Sequence, residues 1–192
     1  MGKLVVTNHV SLDSVMQAPA GKPEQHGGYQ HAGWAEPRSD EVMGRFMASR
    51  MMGSENGALL LGRRTYDEFA STWPHQSEDN PYTKVINGMR KFVASRTLSG
   101  PLEWNNSTLL QGDVVEAVAR LKEDWDLGVL GSGDLIRTLM RHQLVDEFVL
   151  LIHPVVLGEG KRLFGEQSPA TELTLQDDVV TTTTGVIIAV YR

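Results

Sequence analysis

Apolar and polar positions follow two rhythms that take turns along the chain. Short runs rich in β-formers stand at Leu4–Asn8, Ala58–Leu61, Lys91–Ala94, Thr108–Leu110, Leu127–Leu130 and Glu147–Val155, and their length and flanking turns predict buried strands. Two further runs, Glu172–Gln176 and Val186–Arg192, close the chain. In the last, Val186, Ile188 and Val190 oppose Ile187, Ala189 and Tyr191, which is the period-two pattern of a strand. Between the early runs lie helical patterns with recognisable starts. Ser39-Asp40-Glu41 caps a helix that carries Val42, Met43, Phe46, Met47 and, a turn later, Met51 on one apolar face. A second helix begins at Thr65. Asn80-Pro81 is a cap followed by proline at the first helical position. Gly112-Asp113 precedes Val114–Leu121, and Ser132 precedes Leu135–Met140.

Strand, turn and helix in repetition predict a three-layer α/β/α fold with a mainly parallel central sheet. No helical pattern follows Val155, so the C-terminal strands are expected to be antiparallel additions. A chain of 192 residues fits one domain spanning 1–192. The segment Pro19–Arg38, with three prolines and four glycines, is a long loop of the kind used as a lid or binding element.

Composition narrows the chemistry. The absence of cysteine removes disulfides, thiolate catalysis and Cys-bearing zinc sites. A formal charge of −6 argues against a nucleic-acid partner. No apolar run approaches membrane-spanning length, so a cytoplasmic protein without membrane contact is the expectation. The six histidines lack metal-like spacing with carboxylates, and no metal is expected.

Three turns follow parallel strands and would share one sheet edge. Gly62-Arg63-Arg64-Thr65 opens a helix, where glycine allows close backbone approach and the helix N-terminus offers unpaired N–H groups to an anion. Ser95-Arg96 ends another strand, where open α/β sheets bind ligands and arginine supplies a planar fork for phosphate. Gly131-Ser132-Gly133-Asp134-Leu135 is a glycine-rich turn suited to a pyrophosphate. Each turn alone also reads as an ordinary connection with solvated arginines; their coincidence is the stronger signal.

These motifs, with Val10-Ser11-Leu12-Asp13 and Pro154-Val155-Val156-Leu157-Gly158-Glu159-Gly160-Lys161-Arg162-Leu163-Phe164, resemble the dihydrofolate-reductase-like superfamily over nearly the whole chain. Within it the chain is similar to the C-terminal reductase domain of riboflavin-biosynthesis deaminase-reductases, as a stand-alone member. The resemblance implies an NADPH-dependent reductase and a homodimer. It implies Gly62, Arg63, Arg64 and Thr65, then Ser95 and Arg96, then Gly131, Ser132, Gly133, Asp134 and Leu135 as cofactor residues, with His9 beside the nicotinamide through its ring or its backbone. The chain departs from the bifunctional enzymes in having no cysteine pair for zinc, Thr7 where they carry lysine, and Ser14 where they carry glycine. From true dihydrofolate reductases it departs in the longer spacing of Trp34 and Asp40 to Gly62.

On the substrate side Asp13 is the candidate catalytic carboxylate, binding or protonating a heteroaromatic ring, with a turn-capping role as the alternative. Asp40 is a helix cap or a pocket residue. Met43, Phe46 and Met47 are core or pocket wall, Trp34 and Tyr29 are cover or anchor, and Gly158 and Gly160 lie at the pocket mouth or simply form a turn. The expected activity is hydride transfer from NADPH to a small heteroaromatic, pterin- or pyrimidine-like, or carbonyl substrate. A non-catalytic NADPH sensor and a dihydrofolate reductase proper stay open as alternatives.

Overall fold

The computed structural model describes residues 1–52, 54–166 and 168–192, with Met51, Met52, Pro81, Asp177 and Asp178 described by backbone only. Eight strands form one sheet: β1 (Leu4–Ser11), β2 (Gly57–Gly62), β3 (Arg90–Ala94), β4 (Ser107–Leu109), β5 (Asp126–Leu130), β6 (Glu147–His153), β7 (Leu175–Thr181) and β8 (Ile187–Tyr191). Their order is β4-β3-β2-β5-β1-β6-β8-β7. Strands β1 to β6 pair in parallel, and β8 runs antiparallel to both β6 and β7. Five α-helices accompany them: α1 (Glu41–Met52), α2 (Arg63–Thr72), α3 (Pro81–Gly88), α4 (Val114–Asp124) and α5 (Gly133–Arg141).

Apolar alternation along the strands feeds two faces. On one, α4 and α5 bury Val118, Leu135, Ile136 and Leu139 against Leu4, Val6, Leu60, Leu127 and Val129. The other face is divided. Met43 of α1, with Phe46 and Met47 beside it, packs on Val149, Leu151, Ile188 and Val190. Tyr66 of α2 and Ile86 of α3 pack separately on Leu59, Leu61 and Val93.

Three strands differ from the sequence reading by more than one residue at an end. β1 continues past Asn8 to Ser11 because both of its polar residues find partners: Asn8 Nδ2 donates to the Gly131 carbonyl (3.3 Å) and the His9 ring bonds His153 (2.8 Å). β6 stops at His153, before Pro154. β7 starts only at Leu175, continues through Asp177-Asp178 to Thr181, and shifts register between Gln176 and Val180. Two adjacent charges and a bulge hide such a strand from a periodicity argument. The 19–38 segment holds two single 3-10 turns, Pro23–His26 and Glu36–Arg38.

Candidate functional site

The division on the second face leaves a groove. Along β1, Leu4, Val6, Asn8 and Val10 are buried under α4 and α5, whereas Val5, Thr7 and His9 on the opposite side are only partly covered. β5 repeats the pattern, with Leu127 and Val129 buried and Gly128 and Leu130 partly exposed. The register aligns Val5 with Gly128 and Thr7 with Leu130. The row therefore forms a floor between α1 on one side and α2 on the other.

At the carboxyl end of this floor the strand-to-helix turns are bolted together. The Ser132 hydroxyl accepts the Gly62 N–H (2.9 Å) and donates to the Leu130 carbonyl (2.9 Å). In return the Ser132 N–H donates to Thr65 Oγ1 (3.1 Å). Gly131 has φ +57, and a Cβ there would stand 2.8 Å from Thr65 Oγ1, so this close crossing of the two turns requires glycine. Thr65 thus serves the neighbouring turn rather than its own helix.

The consequence appears at the helix ends. α1, α3 and α4 have their N-termini closed by side chains, from Asp40, Asn80 and Asp113 respectively. α2 and α5 have no side-chain cap. Two helices therefore begin side by side with their first N–H groups free of side-chain acceptors, each carrying the partial positive charge of its dipole. Arg64 and Arg96 are exposed and form no ion pair among the described residues. Arg63 donates to Thr97 and pairs with Asp67 (3.3 Å), tying α2 to the loop after β3. The Asp134 carboxylate in the first turn of α5 is matched by Arg137. Ser95 Oγ accepts the N–H groups of Thr97 (3.2 Å) and Leu98 (3.0 Å), shaping that loop. Beyond it lies a cavity of about 580 Å³ lined by Ser95, Arg96, Leu98, Gly100, Leu110 and Gln111. Its size falls within the range of small-molecule sites.

The 17–39 segment roofs the other end. Trp34 is buried, its indole N–H donates to the Gln17 carbonyl (2.8 Å), and its ring meets His153 edge-on at 5.2 Å. His26 reaches Glu68 of α2 (3.3 Å), and the Tyr29 hydroxyl donates to the Glu159 carbonyl (2.9 Å).

A model of the RibD C-terminal domain family matches residues 2–188. The chain belongs to the RibD C-terminal domain family. Among curated relatives it is 34% identical over 140 residues to the uncharacterized Bacillus subtilis (strain 168) protein YyaP, covering 70% of this chain and 72% of that one. YwjB of the same organism, also uncharacterized, is 37% identical over 120 residues, covering 62% of this chain and 64% of that protein. Among solved structures, a protein assigned to riboflavin biosynthesis from Shewanella sp. PV-4 superposes with a TM-score of 0.73 at 23% identity, over 98% of this chain and 97% of that one. A pyrimidine reductase-like protein from Corynebacterium diphtheriae gives 0.63 at 11% identity, over 100% and 91%. The mainly parallel sheet between helical layers, with its antiparallel C-terminal strand pairing, is the RibD C-terminal fold.

Against this family frame the individual residues separate. The Gly62, Ser95 and Gly131 turns stand on the adjacent strands β2, β3 and β5. Asp13 is not arranged as a proton donor. Its carboxylate accepts from Ser11 Oγ (2.7 Å) and from the N–H groups of Leu157 (3.1 Å) and Gly158 (2.9 Å). These hydrogen bonds, the one from Ser11 first, hold its carboxyl down at about 2, so it is ionised at neutral pH and fastens the 157–158 loop to β1. Gly158 accordingly belongs to that fastening, as the amide Asp13 holds. Of its two readings, the bonds of Asp40 match the cap: one oxygen accepts the Met43 N–H (2.9 Å), the other the Thr183 N–H and hydroxyl (2.7 Å each). These bonds lower its carboxyl below the ordinary value. Met43 is core, with Phe46 and Met47 partly covered beside it, and the side chain of Met51 lies outside the described residues.

The contact that sequence reasoning missed is that of His153, a strand residue before Pro154 read as core or interface, with His9. His153 is fully buried on β6 and hydrogen-bonded to His9. No local pattern could have signalled the contact, because only the β1–β6 register, Ser11 opposite His153, brings the two rings together.

Proposed function

We propose that this protein is an NADPH-dependent reductase that transfers a hydride to a small uncharged heteroaromatic or carbonyl substrate lying on the β1–β5 groove. One observation carries the reading: α2 and α5 start side by side, uncapped, with Arg64 and Arg96 unpaired next to them. Free N–H groups at two neighbouring helix N-termini form a site suited to an anion such as a pyrophosphate. Gly62, Arg63 and Arg64 on one side and Gly131, Ser132, Gly133, Asp134 and Leu135 on the other would hold the diphosphate through backbone and charge. Arg96, on the rim of the 580 Å³ cavity with Ser95, would take the 2′-phosphate through its guanidinium fork. His9 and Thr7, on the groove floor, would then receive the nicotinamide end. The nicotinamide supplies the hydride when bound, and the chain's part is to orient it, exclude water with the 17–39 roof, and hold the acceptor. The exposed Leu175 and Val179 of the edge strand β7, with exposed Ile187 on neighbouring β8, support a homodimer.

NADPH added at about 100 times its dissociation constant should stabilise the fold by about 2.7 kcal/mol. Arg96→Glu should weaken NADPH far more than NADH. No thermal shift at millimolar NADPH, or equal loss of both dinucleotides, would overturn the proposal. A sensor without turnover would bind NADPH yet oxidise none across pterins, flavin precursors and quinones, and dihydrofolate-dependent oxidation would single out a folate reductase.

A further inference from the structure

His9 Nδ1, at the groove floor, and His153 Nε2, buried on β6, stand 2.8 Å apart. Burial holds both imidazoles below their ordinary range, His9 at about 4 and His153 at about 3, the latter lowered further by His9 and by the Arg38 charge. Both rings are therefore neutral at pH 7, and a single proton lies between the facing nitrogens. Two arrangements satisfy that bond. If His9 donated from Nδ1, His153 would carry its own proton on Nδ1, an atom that is buried and has no partner. An orphaned buried N–H is rarer in native structures than an under-satisfied acceptor. If His153 donates from Nε2 instead, its buried Nδ1 is a bare lone pair, and His9, accepting on Nδ1, carries its proton on Nε2. The Nε2 atom of His9 makes no hydrogen bond among the described residues, and His9 is partly exposed beside Thr7, toward the groove.

We infer that His153 is a positioning residue that fixes His9 in the Nε2–H tautomer, so that His9 offers a neutral hydrogen-bond donor to an uncharged acceptor, a carbonyl oxygen or an imine nitrogen, on the groove's ligand. The ligand class rests on the reductase reading, since such an acceptor adjoins the carbon that receives a hydride. The tautomer does not. A neutral donor polarises an acceptor without offering the full charge that would favour a carboxylate. Trp34, edge-on against His153, keeps water from the pair and so keeps the lock intact.

The test is imidazole nitrogen NMR at pH 7 on the labelled protein with no dinucleotide present. In the wild type both rings should be neutral, each with a pyrrole-type Nε2 and a pyridine-type Nδ1. His153→Phe should release His9 into a mixture of tautomers, and His153→Gln, which keeps an N–H donor, should restore it. A His9 protonated on Nδ1, or a His9 unmoved by His153→Phe, would overturn the lock. Should the Phe variant fail to fold, the wild-type tautomer alone decides. Dimethylformamide, which can only accept, should shift the His9 Nε2 signal saturably, and a shift that never saturates would overturn the donor role. Because NADPH takes no part, its failure to bind would leave the tautomer result standing, and the reverse holds equally.

Discussion

Deleting the hydroxyl of Ser132 tests how the two helix starts are held together. Ser132→Ala removes one hydrogen bond from the Gly62 N–H and one to the Leu130 carbonyl, both in partly buried surroundings. A typical intramolecular hydrogen bond contributes about 0.5–1.5 kcal/mol net, so the pair sums to about 1–3 kcal/mol. At about 2–4 °C per kcal/mol for a domain of this size, a mid-range loss lowers Tm by about 4–8 °C. Ser132 also has φ 59°, a left-handed conformation that costs an L-residue about 1–2 kcal/mol and glycine nothing. Ser132→Gly should therefore lose the same two bonds yet recover about 1 kcal/mol relative to Ser132→Ala. Urea denaturation and calorimetry of the three proteins read these differences directly. The variants should also bind NADPH about tenfold more weakly, equivalent to about 1.4 kcal/mol, because the N–H groups of α2 and α5 lose their alignment. Ser71→Ala, on the exposed face of α2, supplies the control and should stay within about 0.5 kcal/mol of wild type. If Ser132→Ala matched that control in both stability and affinity, the claim that this hydroxyl organises the site would be refuted.

Three further outcomes follow from the same geometry. Gly160→Ala should loosen the 17–39 roof, since φ is +118 there and a Cβ would stand 2.6 Å from the Tyr29 hydroxyl and 2.8 Å from Val15; faster proteolytic cleavage within 20–33, with the sheet intact, is the readout. Asp13→Asn should leave the pH dependence of any turnover unchanged between about pH 5 and 8, because a carboxyl held at about 2 is ionised throughout that range; a lost acidic limb would restore Asp13 as a proton donor. The histidine pair should make stability fall as the pH drops from about 6.5 toward 4, the window between the ordinary histidine value and that of His9. In that window the unfolded chain binds protons that the folded imidazoles refuse, so unfolding gains with acid and the slope of stability against pH is positive. His153→Gln should flatten the slope, and an unchanged slope would assign it to other groups.

Much of this architecture was legible in the sequence because it rests on local chemistry. The caps at Asp40, Asn80 and Asp113 are short side-chain bonds to the next turn, and the strand runs are contiguous apolar segments. The three turns could be placed on one edge because parallel strands all end on the same side. What stayed hidden depends on register. The Ser132–Gly62 bond joins residues 70 apart, and His9 meets His153 across 144. Asp13 stayed open between pocket carboxylate and turn cap because nothing nearby in the chain announces that the 157–158 amides fold back onto it. Asp40 showed its local bond to Met43 but not the distant one to Thr183. Residue types pointed to the edge proposed for the cofactor, whereas the occupancy of each side chain's hydrogen-bonding groups sorted loop fasteners from groups with no bond among the described residues.

On the proposed function, two uncapped helix N-termini, bolted together by Thr65 and Ser132, would receive the diphosphate of NADPH. A crystal structure of the NADPH complex tests it most directly. The diphosphate oxygens should lie on backbone N–H groups at the starts of α2 and α5, the 2′-phosphate on Arg96, and the nicotinamide over the groove beside His9. A dinucleotide seated elsewhere, or crystals that take up none at millimolar NADPH, would contradict it.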